Sequence, residues 1–180
     1  MNGAHIHLLL NHLPIMGAFI SLPLLVLAMR YHTERGAFYA ASVVVLLTGI
    51  GACAANWTGD GAVAVVKHLP EFQKALLHTH ADHADKATVL AVLDSLGMLA
   101  TLIYALKMKV AAPKGALGGV LAGAVLTAAA MAWTGYAGGM IRHTEIREGA
   151  SVAAPAASGV PAEKEEGEDQ DEDGDKGAPR

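Results

Sequence analysis

Hydrophobic positions along this chain come in long unbroken runs separated by short polar breaks. Four runs stand out, at about residues 7–29, about 38–57, 87–106 (ATVLAVLDSLGMLATLIYAL) and about 116–140, with a further GAVAVV after Gly61. Each is close to the ~20 residues that cross ~30 Å of hydrocarbon as an α-helix. Inside a bilayer the backbone must satisfy its own hydrogen bonds, which leaves helices and closed barrels. The runs are too long and continuous for barrel strands, so they predict four transmembrane helices. The breaks MRYHTERGA and KMKVAAPKG, after the first and third runs, are short. Short connections make successive helices antiparallel, so the expected fold is all-α, a transmembrane four-helix bundle running up-down-up-down. Gly36 and the Pro113/Gly115 pair read as helix-stop signals. The small residues of GIGACAA and GALGGVLAGAVLTAAA suit close helix–helix contact.

Composition points the same way. Of 180 residues 53% are hydrophobic and 17% charged, with a mean hydropathy of +0.36, against about 25% charged in a soluble domain. The single cysteine, Cys53, excludes an intrachain disulfide. The first run lacks a basic lead and a small-x-small cleavage site, so it is expected to remain as a helix. Charge is unevenly spread. Residues 1–149 are net +2 and residues 150–180 net −6. The stretch from Ser151 to Arg180 has almost no large apolar residue, so it cannot bury enough surface to offset ordering entropy. The expected division is a transmembrane domain over 1–148 and a disordered acidic tail over 149–180.

Arg30, Arg35, Lys107, Lys109 and Lys114 crowd the two short breaks, against one acid, Glu34. The other side also carries five, Lys67, Lys74, Lys86, Arg142 and Arg147, so the expected placement, these breaks in the cytoplasm and both termini outside a bacterial inner membrane, rests on the crowding of charge at the span ends. The histidines take one side of this arrangement. His5, His7 and His12 enter the first run, His68, His78, His80 and His83 lie between the second and third, and His143 follows the fourth. Only His32 falls at the other end. Imidazole in its neutral form is the commonest metal ligand, and Zn, Cu and Fe accept it. His5 and His12 share a helical face, as do His80 and His83. Pro14 loosens the backbone ladder near His12. The candidate metal ligands are therefore His7, His12, His80, His83 and His143, with His12 the most buried and His83 or His143 opposite it as a haem pair. Each histidine alone reads more simply as a hydrated or carbonyl-bonded side chain.

Asp94 lies eight residues into a run with no other charge. Carboxylates at such depth usually face the bundle interior and serve function. It reads as a proton relay, or as a carboxyl bonded to Ser95 or Thr127. An internal echo adds to this picture. Trp57-Thr58-Gly59 and Trp133-Thr134-Gly135 are 76 residues apart, and the same offset carries His7 onto His83. The chain thus reads also as two repeated helical hairpins related by an axis along the membrane normal.

His7-x4-His12-x-Pro14 at the start and TGYAGGMIRH at the end resemble an uncharacterised bacterial four-span inner-membrane family, a domain of unknown function. The resemblance covers roughly residues 5–145. Leu8 stands where that family commonly has Pro, and Thr144 where it commonly has Gly. It implies a four-helix membrane bundle and points to His7, His12 and His143.

Three functions compete. One is a small membrane redox subunit holding b-type haem or a Cu or Zn ion, with the bilayer and other membrane or respiratory subunits as partners. Another is a structural or assembly subunit without cofactor. The last is a proton or cation transporter using Asp94 and the histidines. No P-loop, GxSxG or HExxH motif supports a soluble enzyme. The few basic residues flank spans, which does not indicate nucleic acid.

Overall fold

The structure, a computed structural model, describes residues 1–147. Over them the expected bundle is present, as α1 (Gly3–Arg30), α2 (Arg35–Val66), α3 (Lys74–Met108) and α4 (Lys114–Arg142), followed by a 3-10 turn at Thr144–Ile146. The acidic tail expected at 149–180 lies outside the described residues. Local signals account for some of the helix ends, while Gly36 and Gly115, expected as stops, are the second residues of α2 and α4. The Asn2 side chain caps α1 by accepting from the His5 backbone N–H at 3.1 Å. α3 stops at Lys109, which turns left-handed (φ 54°), while the Val110 N–H reaches back to Ala105 O at 3.2 Å. Pro113 then caps the start of α4. α1 runs through both Pro14 and Pro23, and Pro14 is buried where α2 presents Gly51.

One sequence expectation needs correction. The second and third runs, expected at about 38–57 and 87–106, lie in longer helices, with only residues 67–73 linking α2 to α3. Apolar runs mark only the part of a helix that meets hydrocarbon. KALLHTHADHADK continues the helix above it, rich in Ala and Leu and braced by the Lys86–Asp82 pair at 2.6 Å. The four helices hold 28 to 35 residues, about 42–52 Å at 1.5 Å per residue, so their ends project beyond a bilayer core.

Each helix packs on two others, α1 on α2 and α4, and α3 on α2 and α4. The core divides along the axis. Nearer the histidines it is built of Ala18, Ala52, Ala87, Ala91, Ala128 and Met131. Toward the opposite end it holds Leu25, Phe38, Val45, Met98, Leu117 and Val120 among others. Glycines allow close approach. A Cβ on Gly49 would overlap the Ser95 side chain, and one on Gly3 would overlap the Gly61 backbone.

Outside, the helices present bare apolar side chains. Leu9, Ile50, Leu93 and Leu126 are 65%, 64%, 60% and 58% exposed. Scattered this way round a whole bundle, such surface has no place in water. It is the face that lipid covers. All four helices are long and apolar enough to cross a membrane. Trp57 and Trp133 stand exposed near one end, where indoles favour the interface.

Candidate functional site

The antiparallel order brings His5, His7, His12, His68, His78, His80, His83 and His143 to one end of the bundle and leaves His32 at the other. Only part of this group converges on the interior. His7 is half-buried on α1, and its Nδ1 donates to Ala55 O on α2 at 3.0 Å, with Thr58 Oγ1 at 3.3 Å. His80 is half-buried on α3, and its Nδ1 donates to Thr134 O on α4 at 3.0 Å. A carbonyl can only accept, so both rings carry their proton on Nδ1 when neutral and keep Nε2 bare. His7 and His83 are the other imidazoles near enough to His80 for their charges to interact. Gly138 makes room for the His80 ring, since a Cβ there would lie 3.0 Å from Cε1 and Nδ1.

His83 is committed differently. Its Nε2 accepts from Trp133 Nε1–H at 2.9 Å, and the two rings meet edge to face at 5.9 Å between centroids. The threonines of the two W-T-G stretches make the same back-bond, one that Thr48, Thr79 and Thr101 also make. Thr58 Oγ1–H donates to Ala54 O at 3.0 Å and Thr134 Oγ1–H to Ala130 O at 2.9 Å, 76 positions on. The imidazole that makes on α4 the kind of bond His7 makes on α2 is His80, one turn before His83 on α3.

Two expected ligands stand elsewhere. His12, expected as the most buried, is exposed, and its Nδ1 turns back onto Leu8 O of its own helix. The cause is phase. The buried seam of α1 is Pro14, Ser21, Ala28, and seven-residue steps carry it back to His7, whereas His12 continues the exposed line of Phe19 and Val26. The carbonyl His12 uses is Leu8's, not the Leu10 carbonyl that Pro14 leaves without its helical donor. His143 is also exposed, just past α4, with Nδ1 2.8 Å from Glu145 Oε1. The Glu145 carboxyl is held below the usual carboxylate range, first by its own backbone N–H and then by His143. Among the described residues no three His, Cys, Asp or Glu side chains converge as round a metal ion.

Asp94 is half-buried at the junction of the two core clusters. Ser95, expected as one partner, donates instead to Val45 O on α2 at 2.8 Å, and the Thr127 hydroxyl has no partner. The carboxylate lies against Gly123 of α4, where a Cβ would collide with it.

These features define a multi-pass, all-α membrane protein with a histidine-lined end and a carboxyl in mid-bundle. No family model, no curated protein and no solved structure matches the chain.

Proposed function

We propose that the protein is a small redox subunit of the bacterial inner membrane that holds b-type haem iron or a copper ion between His7 and His80. The observation that carries this reading is the shared Nδ1-to-carbonyl bond of the two imidazoles. A second hydrogen bond of this kind fixes the tautomer and ring of a metal-ligating histidine and raises its basicity. The pair comes from α1 and α3, as axial ligands in helix bundles come from different helices. A structural zinc site wants four protein ligands, so two imidazoles fit haem iron or copper better. The bound group would supply one-electron transfer. The residues' part is to keep both Nε2 atoms bare, while Trp133 holds His83 aside. The Lys/Arg-rich short turns favour a cytoplasmic side opposite the histidines, with electron exchange to another membrane or respiratory subunit at the outer face.

Purification from haem- and copper-replete cells, followed by absorption spectroscopy and elemental analysis, tests this. Wild type should carry a Soret band or near-stoichiometric copper. His7→Ala and His80→Ala should lose it, and His12→Ala and His143→Ala should keep it. Neither group in wild type, or full retention in His7→Ala, overturns the reading. A second reading, a structural subunit without cofactor, draws on the same bonds, because they tie α1 to α2 and α3 to α4. It requires His7→Ala and His80→Ala to lower the unfolding midpoint with no bound group to lose.

A further inference from the structure

The two halves of the core meet at a polar waist. Ser21 lies between Ala18 and Leu25, Thr48 between Val45 and Ala52, Asp94 between Ala91 and Met98, and Thr127 between Ala124 and Ala128. Each helix thus brings a polar side chain to within about a turn of this junction, and α3 adds Ser95. Ser21 donates to Ala18 O at 2.7 Å and Thr48 to Val44 O at 2.8 Å.

Thr127 breaks this pattern. Thr48, Thr58, Thr79, Thr101 and Thr134 all bond back to the carbonyl four residues earlier. Thr127 is 1% exposed, yet its hydroxyl has no partner. A buried hydroxyl left this way is costly and calls for a water or ligand. It stands one turn from Gly123, about 6 Å along α4, and Gly123 is where the Asp94 carboxylate rests. Helical side chains lean toward their own N-terminus. On antiparallel α3 and α4, Asp94 and Thr127 therefore lean toward each other. Among the described residues the ion pairs are Lys86–Asp82 and His143–Glu145, and neither involves Asp94.

A second buried acceptor without a partner is Asn11 Oδ1, on α1 one turn inside His7. From the histidine end the interior thus runs past His7 and His80, Asn11 and Thr127 to Asp94, through the half of the core built of alanine. Past Asp94 the core is filled by Leu25, Phe38, Met98 and Leu117, 0–4% exposed, and the buried hydroxyls there, Ser42 and Thr101, are bonded back to their own helices. A water in such a site needs two to four polar partners. Beside Asp94 the carboxyl and the Thr127 hydroxyl supply two, and Asn11 stands further up, toward the histidine end.

We propose that Asp94 is a proton-binding site served from the histidine end alone, by water passing Asn11 and Thr127, and closed to the other end by the large apolar half of the core. The proton arrives on water and bonds to an Asp94 carboxylate oxygen. Neutral water and a neutral carboxyl remain.

The test uses the full chain in lipid vesicles and infrared difference spectroscopy of hydrogen–deuterium exchange. A carboxylic C=O band should be present in wild type, missing in Asp94→Asn, and should move on exchange. Thr127→Val, the same shape without a hydroxyl, should slow that exchange about tenfold, as expected for losing one relaying hydrogen bond, and Thr127→Ser should restore it. A pH-dye assay under an imposed potential should find no proton flux beyond that of empty vesicles. No Asp94 band at any pH from about 4 to 9 overturns the site. Exchange unchanged in Thr127→Val overturns the route. Flux that Asp94→Asn abolishes overturns the closed end.

Discussion

Gly49→Ala tests the packing that brings α2 and α3 together. The new methyl would overlap the Ser95 side chain and meet the Ala91 carbonyl oxygen at 3.2 Å. Ser95 cannot evade by rotation alone, because its own Cβ would lie 2.9 Å from the methyl. The helices must move apart, and overpacking of this kind costs about 1–3 kcal/mol. The same shift strains the Ser95 Oγ–H bond to Val45 O, now 2.8 Å, worth about 1 kcal/mol. The sum is a loss of roughly 2–4 kcal/mol. Reversible unfolding in mixed micelles measures it. Ser95→Gly removes both the Cβ and the hydroxyl, so Gly49→Ala/Ser95→Gly should recover most of the overpacking term. A Gly49→Ala midpoint within about 0.5 kcal/mol of wild type, the range of neutral surface changes, would refute the close approach. So would a double variant as unstable as the single one.

Two further expectations concern the ends of the bundle. With Cys53 replaced by Ser, Thr33→Cys and Glu71→Cys should label from opposite sides of sealed vesicles with an impermeant thiol reagent, since α2 separates them; labelling from one side would remove a span. The Glu145 carboxyl, titrated by carbon NMR, should have a midpoint below the ordinary ~4.3 of Glu. A depressed folded value means that whatever it adds to stability is present at neutral pH and lost as pH falls through that midpoint. His143→Ala should raise the midpoint only partly, because the backbone N–H of Glu145 acts first; a midpoint at or above the ordinary value in wild type would refute this contact.

Helix number, order and antiparallel sense were legible because lipid imposes a single coarse rule on run length. Helix ends were not, because the rule stops at the membrane surface. The start of α3 at Lys74 rests on Ala-rich local propensity and a Lys–Asp pair that hydropathy does not register. Within the site, the side of the bundle was readable but the inward ligands were not. His5 and His12 do share a face, yet nothing in their spacing says whether that face looks in or out. The phase was available in the small residues. Pro14, Ser21 and Ala28 mark the seam of α1 and lead back to His7, as Ala87 and Thr101 on α3 lead through Asp94 to His80. Trp133 as the partner of His83 could be guessed from W-T-G. Its hydrogen bond depends on helix rotation, which spacing alone does not fix.

The bonds of His7 and His80 also bear on how the chain is built. Both close within a hairpin, His7 onto the helix that follows it and His80 onto the helix that follows it. Gly3 against Gly61 and Gly123 against Asp94 close within the same two pairs. Each hairpin therefore brings its inward imidazole already bonded to a carbonyl on its neighbour. Contacts closed within one hairpin need no third helix, so nothing in the first pair depends on α3 for its inward imidazole. Insertion two helices at a time is the order these contacts favour. Exchanging the partners, α1 with α4 for instance, would leave both rings without the carbonyls they now bond.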